Sequence, residues 1–127
     1  MPNSNFVSFM DDGFHVSHVS PGPAAEIDDQ DDPGIPQMPD LSEGPDAILQ
    51  FKYKTESGGG TLSVKVNDVQ VTSIPFGESD SEVARVWFET IKGSVLNKSP
   101  KHNKLAINVG GSGRVHVSDF KIFYHTV

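Results

Sequence analysis

Residues 47–67 read AILQFKYKTESGGGTLSVKVN, two alternating runs either side of a glycine turn, and their period decides the fold class. Ala47, Leu49, Phe51 and Tyr53 fall on one parity, while Gln50, Lys52 and Lys54 fall on the other. After Ser57-Gly58-Gly59-Gly60 the pattern resumes, with Leu62, Val64 and Val66 alternating against Ser63 and Lys65. Successive side chains of a strand point to opposite faces, so this spacing describes ribbons with one wet and one dry side.

The same reading extends in both directions. Asn67-Asp68 predicts a tight turn into Val69–Ile74, and a polar loop over Pro75–Glu82 precedes a strand at Arg85–Ile91. Strands at Lys104–Val109 and Arg114–Val127 flank Gly110-Gly111-Ser112-Gly113. In the last of these, Val115 and Val117 lie on one parity and Phe120, Ile122 and Tyr124 on the other. Both sets share a face only if an extra residue intervenes, which predicts a β-bulge near Ser118-Asp119; the alternative is a strand apolar on both faces at different points along its length. Upstream, Asn5–Met10 and Phe14–Val19 flank Asp11-Asp12-Gly13, a hairpin signal that places an N-terminal hairpin in residues 1–20. A helical pattern is found nowhere beyond one turn around Glu82–Ala84. The expectation is an all-β chain: a jelly-roll β-sandwich of about eight antiparallel strands, with a long acidic proline-rich loop.

That loop coincides with a break in composition. Residues 1–51 contain ten acids and no lysine or arginine, whereas residues 52–127 contain seven acids and ten bases. The two parts carry −10 and +3, which together give the net −7. Residues 21–45, PGPAAEIDDQDDPGIPQMPDLSEGP, hold six of the nine prolines and show neither period. Proline fixes φ and removes a donor, so the stretch reads as an irregular strap lying over the sandwich of residues 46–127. At 127 residues the whole forms one domain.

Charge and composition narrow the function classes. A net −7 disfavours nucleic acid and anionic membranes, which reward basic surfaces. No apolar run approaches the ~20 residues that span a bilayer, so no membrane insertion is expected. No basic segment followed by an apolar stretch opens the sequence, so no signal peptide is expected; an extracellular or surface location is favoured. With no cysteine there is neither disulfide nor thiolate. Gly110-Gly111-Ser112-Gly113-Arg114 lacks the last glycine of a nucleophile elbow, and no helix follows a glycine loop to cradle phosphate. The chain is expected not to be an enzyme.

Two kinds of site remain. Glu26, Asp28, Asp29, Asp31 and Asp32 crowd five carboxylates into seven positions. Such oxygens suit Ca²⁺, with Asp28, Asp29, Asp31 and Asp32 as its ligands, but the spacing is not that of an EF-hand, and the alternative is a solvated acidic loop. His15 and His18 fall on opposite faces, and His116 and His125 lie nine apart, so neither pair chelates. For a neutral ligand, aromatic rings offer flat apolar platforms with polar neighbours for hydroxyls. Trp87 shares parity with Arg85 and Glu89, which predicts an outward face and leaves Val86 and Phe88 inward. Tyr53 and Tyr124 read as core.

From Trp87 onward the order WFETI, then Asn103-x-Leu105-x-Ile107, then Ser118-Asp119-Phe120, resembles the galactose-binding-like jelly roll of many carbohydrate-binding modules. FKYKTESGGGTLSVKVNDVQV (residues 51–71) looks like that family's central hairpin. The resemblance covers about residues 46–127 and implies a fold, with non-catalytic glycan binding as the expected activity. It does not reach the N-terminal part, where the family has a strand carrying a calcium-holding glutamate. Ligand and calcium positions therefore do not transfer. The reachable candidates for sugar are Arg85 with Trp87, and Asn108, Arg114 and Asp119 near the last turn. The rival expectation is a structural or assembly protein of a surface layer, filament or virion, in which sheet faces or edges pack between copies, and the acidic strap meets a neighbour's basic part, as a homo-oligomer or larger assembly.

Overall fold

The computed structural model describes residues 3–9, 14–17, 38–77, 84–98, 101 and 103–127. The aspartates proposed for calcium (Asp28, Asp29, Asp31 and Asp32), the Asp11-Asp12-Gly13 turn and most of the Glu82–Ala84 turn lie outside these residues. Within them there is no helix, and eight strands follow one another: β1 (Asn3–Phe9), β2 (Phe14–Ser17), β3 (Ala47–Ser57), β4 (Gly60–Val66), β5 (Val69–Phe76), β6 (Ala84–Ile91), β7 (Leu105–Gly111) and β8 (Arg114–Thr126). They form two antiparallel sheets. One has the order β1-β8-β3-β6 with β2 also on β8, and the other has the order β5-β4-β7. The chain crosses between sheets after β3, β5, β6 and β7, giving the expected jelly-roll sandwich.

One expectation is overturned. β1 and β2 do not pair with each other; both run antiparallel to β8, β1 along residues 120–126 and β2 along 114–117. They occupy a single edge position in succession, so the sandwich has seven strand positions. The Asp-Gly signal is local, and the long edge offered by β8 outweighs it.

The bulge in β8 is where parity placed it. Gln50 of β3 pairs with Lys121, but Lys52 pairs with Ser118, so the register slips across Asp119, whose φ is 52°. This slip lets Val115, Val117, Phe120, Ile122 and Tyr124 all point into the core. Opposite them stand Leu62, Val64 and Val66 of β4 and Leu105, Ile107 and Val109 of β7, all buried. Asn67 and Asp68 both take positive φ (51° and 67°) in the β4–β5 turn, as the mirror-image hairpin turn requires. Where β3 crosses to β4, Gly60 lies so close to Gly110 that a Cβ would run into that carbonyl. The two glycine turns therefore dock backbone to backbone, with Ser112 N–H donating to Gly59 O at 3.0 Å.

The lysine-free leader does more than drape over this framework. Phe9, Met38 and Leu41 belong to the core, and Met38 is fully enclosed. Leu41 bridges Thr126, Ser42 N–H donates to His125 O at 2.8 Å, and Val127 N–H donates to Asp40 O at 3.0 Å. Tyr124 Oη donates to Asp40 Oδ1 at 2.8 Å, and Asn5 Nδ2 donates to Asp40 Oδ2 at 3.1 Å. These bonds, Tyr124 first, hold the Asp40 carboxyl below its usual value. Burial and then the hydrogen bond to Asp40 push the Tyr124 hydroxyl up to about 12.

The sign of the linkage follows. Because the folded state raises the Tyr124 value above about 10, its contribution is complete below pH 10 and disappears as pH climbs towards 12. Asp40, lowered in the fold, contributes above its unfolded value of 3.8 and loses that contribution in acid. Thermal melts of Tyr124→Phe are expected to start lower at neutral pH, with the gap to the natural chain closing between pH 10 and 12. A gap constant across that range would remove the Tyr124–Asp40 link.

Candidate functional site

β5 and β6 are the edge strands of the two sheets on one side of the sandwich. Between them lies a cleft of about 670 Å³. Tyr53, Thr55, Arg85, Val86 and Trp87 line it from the larger sheet, and Ile74, Pro75 and Phe76 from the smaller. β3 sets the phase of β6 through the pairs Phe51↔Trp87 and Tyr53↔Arg85. Phe51 and Tyr53 face the core, so Arg85 and Trp87 face the space between sheets. Val86 and Phe88 are therefore the outward residues, 49% and 61% exposed, which reverses the expected orientation of this strand. β6 is apolar at Val86, Trp87 and Phe88 in a row, so alternation alone could not fix its phase. The ladder with β3 does.

In the cleft, the half-buried Trp87 packs edge-on against Tyr53, with ring centroids 6.4 Å apart at 67°. Its indole N–H donates to Glu89 Oε1 at 3.2 Å, which fixes the ring's rotation. Thr55 is buried, and the Arg85 side chain is exposed on the same wall. The arrangement is a ring platform with a guanidinium and hydroxyls at its margin. It can pack an apolar face and donate hydrogen bonds to oxygens. No carboxylate lines it among the described residues.

The other sugar candidates do not join it, nor one another. Asn108 lies opposite Ser63 on the outer face of the three-stranded sheet. Arg114 and Asp119 lie on the five-stranded sheet, where Arg114 Nε meets Glu56 at 3.4 Å and Lys52 Nζ meets Asp119 at 3.5 Å. Both are exposed ion pairs of small energetic weight. Nearness in sequence to the last turn misled here, because that turn carries the chain from one sheet to the other. Tyr53 and Thr55 were missed as lining residues: one reads as core and the other is an ordinary strand threonine. Among the described residues no group of three or more His, Asp or Glu is placed to hold a metal.

A different polar cluster is structural. Asn103, buried, accepts at Oδ1 from Asn67 Nδ2 (2.9 Å) and from Asn97 N–H (2.7 Å), and its Nδ2 donates to Asn97 O (2.9 Å). Asn67 also donates to Val95 O at 2.6 Å and accepts from Lys104 N–H at 2.7 Å. The two amides pin the segment after β6 to the β4–β5 turn. Asn103, matched above to a recurrent family position, thus holds the fold together at this point.

No protein-family model matches the sequence, and no curated protein matches it. Solved structures do share its fold. A segment of the dimeric latent PorU of Porphyromonas gingivalis superposes with a TM-score of 0.72 at 14% identity, covering 98% of this chain and 13% of that one. The exo-β-1,3-galactanase of Phanerochaete chrysosporium gives 0.51 at 17% identity, over 97% of this chain and 26% of the enzyme. The C-terminal domain of EclA, a sugar-binding protein, gives 0.50 at 12% identity, over 94% of this chain and 78% of that one. The chain thus spans only a small part of PorU and of the galactanase. At these identities the likeness establishes the β-sandwich fold that the sequence pattern implied.

Proposed function

We propose that the chain is a non-catalytic carbohydrate-binding module whose sugar seats in the β5–β6 cleft against Trp87. The observation that carries this reading is the half-buried indole, held by Tyr53 and Glu89 and bordered by Arg85 and Thr55. A pyranose presents an apolar C–H face to such a ring and hydroxyls to the margin. The fold shared with a sugar-binding domain and with part of a galactanase supports the ligand class. Among the described residues the lining holds no carboxylate pair, which is consistent with binding without hydrolysis. Ca²⁺ is the ion that Asp28, Asp29, Asp31 and Asp32 would take in this reading.

A glycan array, followed by titration calorimetry with the best sugar, tests the proposal. Trp87→Ala is expected to weaken binding roughly tenfold to hundredfold, the loss typical of a central aromatic contact. Arrays run in Ca²⁺ and in chelator separate the two parts: a signal lost in chelator supports the calcium reading, and an unchanged signal removes it. An array without any hit, or a Trp87→Ala variant that binds as tightly, would sink the glycan reading.

A second reading, an assembly subunit, is favoured by one observation. On the outer face of the five-stranded sheet Phe6, Phe123 and Ile48 stand in register across three strands, each 36–52% exposed, with Phe88 diagonally beyond. The Phe6 and Phe123 rings lie 5.7 Å apart. Exposed apolar rows of this kind mark contact surfaces.

A further inference from the structure

Edge strands of natural sheets carry devices that stop another chain from pairing with them, such as proline, lysine, a bulge or an interruption. Of the four edges, two conform, and β7, which pairs with β4 without a slip and has neither proline nor lysine, turns only the small or polar Ala106 and Asn108 outward. β5 carries Pro75 and a register slip after Val64 of its partner, and the edge on β8 is shared by two short strands, β1 and β2, among the described residues. β6 does not. It pairs with β3 over eight residues without a slip, contains neither proline nor lysine, and among the described residues has no strand on its other side. Its outward side chains Val86 and Phe88 are exposed and apolar.

We propose that β6 pairs antiparallel with β6 of a second copy, about a two-fold axis through Trp87. The occupant is chosen by the strand's own sequence, ARVWFETI. In an antiparallel pair, directly opposite residues share a face, so residue numbers in each pair add to a constant even sum. With Trp87 opposite Trp87, Arg85 meets Glu89 of the second copy, and Glu89 meets its Arg85. On the other face Val86 meets Phe88, again twice. Axes through Arg85 or Glu89 would oppose like charges, and axes through Val86 or Phe88 leave Arg85 and Glu89 without each other. Only the Trp87 axis satisfies both charge and apolar matching.

The pairing would join two five-stranded sheets into one, satisfy two rows of edge backbone groups, and continue the apolar row Phe6–Phe123–Ile48–Phe88 into the neighbour. It would also bring the two clefts together across the axis. The inference stands apart from the glycan reading, since its test measures association alone.

Sedimentation velocity on the full chain, from micromolar to millimolar, should show a monomer–dimer equilibrium. Arg85→Glu changes two symmetric ion pairs into two repulsions and is expected to weaken the dimer at least about tenfold. Adding Glu89→Arg restores opposite charges and should recover the affinity to within about threefold. Phe88→Lys, an outward change that a folded monomer tolerates, should leave only monomer. In the natural chain, the amides of β6 should gain hydrogen-exchange protection as concentration rises. A monomer at every concentration overturns the proposal. So does a dimer indifferent to Arg85→Glu and Phe88→Lys, or one whose β6 amides exchange as fast as in the monomer.

Discussion

Phe120→Ala is expected to lower the free energy of unfolding by about 4 kcal/mol, in the range for a fully buried phenylalanine. The ring is enclosed at 0% exposure between two others, Phe51 at 5.0 Å with an interplanar angle of 10° and Phe9 at 5.6 Å with 26°. The three come from β3, β8 and β1, so one truncation loosens the leader and the central strand together. Stabilities of whole domains are only about 5–15 kcal/mol, and the variant should show a large drop in urea midpoint. Phe6→Ala, removing a ring 52% exposed on the outer face, is the control and should cost less than about 1 kcal/mol. Equal losses for the two would mean that the stack is not the centre of the core.

Asn103→Ala is the second large effect, expected at about 3 kcal/mol. The substitution removes three hydrogen bonds, but their own worth is the smaller part. It strands the Asn97 N–H, the Asn97 carbonyl and one Asn67 amide hydrogen in a part-buried pocket, and each unsatisfied group costs about 1–3 kcal/mol. Part of that cost is recovered where water reaches the pocket. The loss should be visible locally, as faster hydrogen exchange at the Asn97 amide well below the unfolding transition. An Asn97 amide that stays protected in the variant would show that another group takes over the role.

The fate of the two residue classes explains how much was readable beforehand. Strands β3, β4, β7 and β8 announce themselves because each buries one face only, and the failure of Val117 and Phe120 to share parity was enough to place the bulge at Asp119. Asn67-Asp68 is equally explicit, since few residue pairs accept two positive φ values in succession. Met38 and Leu41 sent no such signal. They sit among prolines with no period, and their burial depends on where β8 ends, 85 residues beyond Leu41 at Thr126. Pairing partners at that separation are decided by the whole sheet. The same holds for the site: Arg85 and Trp87 were singled out together and do share a wall, whereas the open side that makes the wall a cleft arises from which strands are left at the edges. Edge position is a property of topology; Pro75 in β5 is a local sign of it, and nothing in β6 is.

The pairing of Asn3 with Thr126 has a consequence for reach. Asn3 and Thr126 lie side by side at one end of the sandwich, whereas Tyr53, on the wall of the cleft, sits across from Val117, nine residues back along β8. At the rise of a strand that separation is about 30 Å. A load carried beyond Asn3 or Thr126 would sit at one pole, whereas the Tyr53–Thr55 part of the cleft wall, level with Val117 and Val115, lies towards the other and would stay clear of it.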